Sequence, residues 1–69
     1  MTRRWRYQIH TKDVGTGSLE SEGSVDTVEE IVRIAKNNPE KKIAIFAPLN
    51  ETQEERETLI DLGVERLFP

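Results

Sequence analysis

Sixty-nine residues with no cysteine, 33% charged and 35% hydrophobic, describe one small domain with a single core cluster and no disulfide or thiolate metal site to staple it. The net charge of −3 excludes a chain drawn as a whole to a phosphate backbone. The longest apolar run, IAIFAP, falls far short of the roughly 20 residues of a membrane helix. The charge is uneven: residues 1–12 carry four basic side chains and no acid, +4, whereas residues 13–69 carry six basic and thirteen acidic ones, −7. The first residues are charged and no apolar h-region follows them, so the expected location is the cytoplasm.

Residues 4–10 alternate strictly. Trp5, Tyr7 and Ile9 fall on one side, and Arg4, Arg6, Gln8 and His10 on the other. Period two with aromatic and β-branched residues predicts a strand with one buried face. DVGTGS then reads as a turn. SLESEGSV, residues 18–25, alternates more weakly, with Leu19, Ser21, Gly23 and Val25 inward. Opposed residues in a hairpin share a face, so this reading requires an odd loop, of which DVGTG is an example. The predicted hairpin covers residues 3–25, with Arg6, Gln8, His10 and Lys12 across from or diagonal to Glu20 and Glu22.

A helix is predicted over 27–37. Asp26 with Glu29, or Thr27 with Glu30, has capping-box spacing. Val28, Ile31, Val32 and Ala35 repeat at helical spacing, with Ile34 at the margin, and Asn37-Asn38-Pro39 ends the run, asparagine tolerating a left-handed cap. Residues 42–47 are apolar without a polar break from Ile43 to Ala47, the mark of a central strand. A second helix is predicted over 52–62, capped at Asn50 or at Thr52 with Glu55, with Leu59, Ile60 and Leu62 as its apolar edge and Gly63 as its stop. A last strand covers 64–68.

Strand, strand, helix, strand, helix, strand makes an α/β (α+β) two-layer sandwich, ββαβαβ, spanning 1–69. Right-handed crossovers stepping in one direction place both helices on one face. The second strand is polar and glycine-bearing, as suits an edge, which favours a four-stranded mixed sheet in the order 2-1-3-4 over 1-2-3-4.

The stretch NPEKKIAIFAPLNETQEERETLIDLGVERLFP, residues 38–69, resembles the closing strand-helix-strand of response-regulator receiver domains, from Pro39 onward. That family shows an apolar strand, an acidic helix ending in Leu-Gly-Val or Leu-Gly-Ala, and a last strand reaching proline. The resemblance implies a parallel strand pair. The family's hydroxyl residue would align near Ala47, its lysine before the final proline is here Phe68, and its acidic pocket and phospho-accepting aspartate are replaced by the basic hairpin. The resemblance therefore implies that phosphotransfer is lost.

The sequence predicts no enzyme and no cofactor. His10 is the only imidazole, and alternation sets it on the open, charged side, away from any inward pocket that Ser18, Ser21 or Ser24 would need for nucleophilic catalysis. VGTG is too short for a P-loop and lacks its lysine. The carboxylates Glu51, Glu54, Glu55 and Glu57 at the start of the second helix read as a dipole-favoured, solvated turn rather than a metal site.

Three surfaces are candidates for binding. Arg4, Arg6, His10 and Lys12 would line an open anion or nucleic-acid face. Alternation removes Trp5 and Tyr7 from it, leaving Phe46 as its available aromatic, and Glu20 and Glu22 would neutralise it in part. Glu51, Glu54, Glu55 and Asp61 would form an acidic face for a basic partner, or else a solvated helix side. The edges offered by strands two and four would accept another chain, giving a monomer or a weak edge-strand dimer. The expected function is a non-enzymatic protein-interaction or regulatory module. Single-strand or RNA binding through strand one is the alternative, and an engineered α/β protein without a biological task is a third reading.

Overall fold

Alternation along the first strand decides which way the sheet faces. In the computed structural model, which describes residues 4–12 and 15–67, the elements are β1 (Trp5–His10), β2 (Leu19–Val25), α1 (Val28–Asn37), β3 (Lys42–Phe46), α2 (Gln53–Leu62) and β4 (Glu65–Leu67). The expected strand limits at Arg3 and Phe68, and part of the DVGTG turn, lie outside the described residues. The sheet order is β2-β1-β3-β4. β1 is antiparallel to both neighbours, and β3 and β4 are parallel. Since β2 and β3 then run the same way, both helices are crossovers stepping in one direction, which places them on one face.

The core lies between that face and the helices. Trp5, Ile43 and Ile45 from the sheet meet Val28 and Ile31 from α1 and Leu59 from α2, with Tyr7, Ile9, Val25, Val32 and Leu62 packed around them. Among the described residues no helix is long and apolar enough to cross a membrane.

α1 starts on the Thr27–Glu30 frame. The Glu30 carboxylate accepts the Asp26 N–H (3.0 Å), the Thr27 N–H (3.2 Å) and the Thr27 hydroxyl (3.2 Å). These bonds to the ionised form, the one from the Asp26 backbone first, hold the Glu30 carboxyl below the ordinary carboxylate range. The helix does not end in a left-handed asparagine. Asn38 sits at φ −133°, ψ 58° and works through its side chain instead, donating Nδ2–H to the Ile34 carbonyl at 2.8 Å while its N–H reaches the Ala35 carbonyl at 3.2 Å. α2 is capped by Thr52 and Glu55 and ends at Gly63, whose φ of 85° is the left-handed conformation expected there. Ile60, expected on the apolar edge, is 56% exposed. Leu59 and Leu62, three apart, share the sheet side, and position 60 turns about 100° away from Leu59.

The hairpin register holds for Trp5↔Val25, Tyr7↔Gly23 and Ile9↔Ser21, then shifts at a bulge between Ile9 and His10 that sets His10 opposite Leu19. A bulge adds a residue to one strand and reverses the parity of everything beyond it. Leu19, expected inward, is therefore 49% exposed. The odd-loop argument, valid only for an unbulged ladder, fails as well. The hairpin is closed by Thr11 N–H to the Ser18 carbonyl (3.0 Å) and Ser18 N–H to Thr11 Oγ1 (2.9 Å). Gly23 owes its place to Tyr7. A Cβ there would stand 2.8 Å from Tyr7 Oη and 3.0 Å from two ring carbons, so the tyrosine ring lies over the strand where a side chain would be.

Candidate functional site

With Trp5, Tyr7 and Ile9 turned to the helices, Arg4, Arg6, Gln8 and His10 belong to the side of the sheet that carries no helix. Register sets Arg6 between Ser24 and Phe46, Gln8 between Glu22 and Ala44, and His10 beside Lys42. On β4, Glu65 and Leu67 oppose Ala44 and Phe46 and share that side. The Arg6 guanidinium carbon lies 5.6 Å from the centre of the Phe46 ring, a cation–π contact.

The four residues expected to form an anion track do not form one. Arg4 is exposed and paired, 3.4 Å from Asp26 Oδ1 and 3.5 Å from Ser24 Oγ. Glu20 and Glu22 do not quench the arginines: Glu20 binds Lys41 Nζ at 2.7 Å, and Glu22 stands opposite Gln8. Arg6 therefore keeps no acidic partner among the described residues. His10, expected on the solvated side, is only 8% exposed. The bulge seats Leu19 across from it, its Nε2 meets Gln8 Oε1 at 2.9 Å, and its Nδ1 has no hydrogen-bond partner among the described residues. His10 makes no bond to Glu20, one of the two acids the predicted register set across from or diagonal to it, because Glu20 is held by Lys41. Lys12 is exposed beyond the end of β1, at the opposite end of the strand from Arg4.

The expected acidic face also divides. Glu55 closes the α2 capping box with Thr52 (Thr52 N–H to Oε1, 2.9 Å; Glu55 N–H to Thr52 Oγ1, 3.1 Å). Glu54 and Asp61 are exposed. Glu51 turns inward. Its carboxylate takes both Arg66 guanidinium nitrogens, at 3.0 and 2.5 Å, and the Trp5 indole N–H at 3.4 Å. The Glu51 and Arg66 side chains are 8% and 15% exposed. The fork geometry satisfies the guanidinium bidentately, and low exposure strengthens the attraction while making either partner costly to strand. Arg66 opposes Ile45 on the helix side of the sheet, which is why it needs a carboxylate at all. Period two offered a signal here: if Val64 points inward, so does Arg66, and an inward arginine calls for an acid.

This clamp forms one wall of a cleft. β3 and β4 run parallel, so both finish at the same end of the sheet, where ligands commonly bind in open α/β sheets. Between those ends and the start of α2, the chain makes a turn closed by Glu51 N–H to the Pro48 carbonyl at 3.2 Å. The cleft measures about 540 Å³ and is lined by Arg6, Phe46, Pro48, Leu49, Arg56 and Leu67, with Glu51 and Arg66 among its further walls. Leu49 is fully exposed, at 104%. Arg56, like Arg6, is exposed and has no acidic partner among the described residues. No group of three or more histidine, aspartate or glutamate side chains among the described residues is placed to hold a metal ion.

Fold and surface together define a small two-layer α/β domain with a mixed four-stranded sheet, one face covered by helices and the other carrying no helix among the described residues. Comparison with family models, with curated proteins and with solved structures finds no match to the chain.

Proposed function

We propose that the protein is a non-enzymatic interaction module that docks an acidic protein segment on the bare face of its sheet. The observation that carries this reading is Arg6. In a chain with more acids than bases, it lies over Phe46 at 5.6 Å with no carboxylate to neutralise it among the described residues, beside Leu67, on a face that no helix covers. A cation backed by an aromatic ring suits a partner's carboxylate, and apolar neighbours suit the chain around it. Single-stranded nucleic acid is the second reading, favoured by the same Arg6–Phe46 pair. Against it stand the pairing of Arg4 with Asp26, the burial of His10, and a single aromatic on that face among the described residues, where sheet-face binders stack two or three bases.

Fluorescence anisotropy with a labelled glutamate-rich peptide and a labelled thymidine oligomer, at about 50 mM salt where phosphate contacts are strong, separates the two. The expected result is peptide binding that Arg6→Glu abolishes and Glu54→Gln leaves unchanged. Tighter binding of the oligomer overturns the protein-partner reading in favour of nucleic acid. Absence of binding to either probe overturns the docking face itself.

A further inference from the structure

From the cleft beyond β3 and β4 we infer a chemistry for the partner: a peptide segment that places a large apolar side chain next to a carboxylate. The inference rests on the docking reading and specifies where on that surface the segment anchors. Charge is its first ground. The carboxylate among the cleft's described lining residues, Glu51, is consumed by Arg66 and Trp5, while Arg6 and Arg56 on the same rim have no acidic partner among the described residues. The cleft is thus a cationic spot on a chain of net charge −3, complementary to an acidic segment.

Shape is the second ground. Phe46, Pro48, Leu49 and Leu67 line the same cleft as the two arginines. A volume of about 540 Å³ lies within the range of sites that seat compact ligands, enough for one large side chain and its flanking backbone. Leu49 stands entirely in solvent on a turn held by the Glu51–Pro48 bond and, through Glu51, by Arg66 and Trp5. An apolar side chain held out on a braced turn loses little freedom when a partner covers it. An apolar anchor beside Leu49, followed by a carboxylate within reach of Arg56 or Arg6, uses all of these groups at once.

Three labelled peptides test it: one carrying leucine followed by two glutamates, one with that leucine replaced by serine, and one with the glutamates replaced by glutamine. They are titrated against the protein and against its Leu49→Ser and Arg56→Gln variants. Both positions are exposed, and unchanged thermal midpoints confirm intact folds. Either peptide change is expected to weaken binding about tenfold, the scale of one buried side chain or one charge-assisted hydrogen bond. Arg56→Gln weakens the glutamate peptide about tenfold and leaves the glutamine peptide alone, a coupling that a structural role for Arg56 would not produce.

If all three peptides bind equally and the cleft variants bind as wild type does, the anchor assignment is wrong while the docking face survives. If no peptide binds, both fall. A second copy could also offer such a pair, because Ile60 and Asp61 are adjacent and exposed on α2. A concentration-dependent dimer that Ile60→Ser dissolves, and that excludes the peptides, would overturn the peptide as occupant.

Discussion

Arg66 and Arg6 stand on opposite sides of one sheet and are treated in opposite ways. On the helix side, Arg66 is 15% exposed and locked into both oxygens of Glu51. On the bare side, Arg6 is exposed and, among the described residues, meets an aromatic ring and no acid. The first arrangement makes the charge part of the architecture, because removing either partner would leave the other buried and unpaired. The second leaves a charge whose solvation is easily exchanged for a ligand. Arg4 lies between the extremes: its bond to Asp26 joins side chains 58% and 67% exposed, a pairing worth about 0–1 kcal/mol. The number of arginines therefore says little about binding here. Which side of the sheet each occupies, and whether an acid reaches it, says most.

That contrast can be pressed with substitutions on each side. Ile45 is wholly buried at the centre of the helix side. Ile45→Ala is expected to cost about 4 kcal/mol, close to the whole stability of a domain this small, so chemical denaturation should find the variant largely unfolded. Glu51→Gln keeps the shape but leaves the Arg66 guanidinium unpaired. A loss on the order of 3 kcal/mol is expected, read as a lowered urea midpoint at unchanged slope, and a loss below about 1 kcal/mol would mean that Arg66 escapes to solvent. Gly23→Ala forces a methyl against the Tyr7 ring, 2.8 Å from its oxygen, and is expected to cost about 1–3 kcal/mol, with the change confined to the β1–β2 hairpin in amide exchange. Replacing Arg4 and Arg6 together by glutamine should move stability by no more than about 0.5 kcal/mol. A larger drop would show the bare side to be structural after all and erase the distinction between the two faces.

The sequence made the two-layer plan and the strand order legible because each rests on a redundant pattern. Trp5, Tyr7 and Ile9 fix a face, Val28, Ile31 and Val32 fix a helix stripe, and handedness does the rest. Its failures are of a different kind. The burial of His10 and the exposure of Leu19 follow from one bulge between Ile9 and His10, and a single inserted residue leaves no period in the sequence to detect. The inward turn of Glu51 was hidden by its neighbours. In the run of Glu51, Glu54 and Glu57 nothing local separates the one carboxylate that binds Arg66 from those that face water, because the choice is made by a strand that follows fifteen residues later. Asn38 kept its role as a stop but fulfilled it through its side chain. Of the candidate site, Arg6 and Phe46 could be foreseen from alternation, whereas the cleft could not, since its lining comes from β1, the turn after β3, α2 and β4 together.

The Glu51 carboxylate has one more consequence. It joins Trp5, forty-six positions earlier in the chain, to Arg66, fifteen positions later, so its bonds form only after the first strand, the middle turn and the final strand have all arrived. Loop closure over such separations comes late in folding and is lost early when the structure opens. A chain lacking its last strand would still carry Leu49 and Arg56, but the turn that presents them would lose the bidentate Arg66 half of its brace. Recognition at the cleft would then double as proofreading, with only a molecule that has folded to its last strand able to hold a partner there.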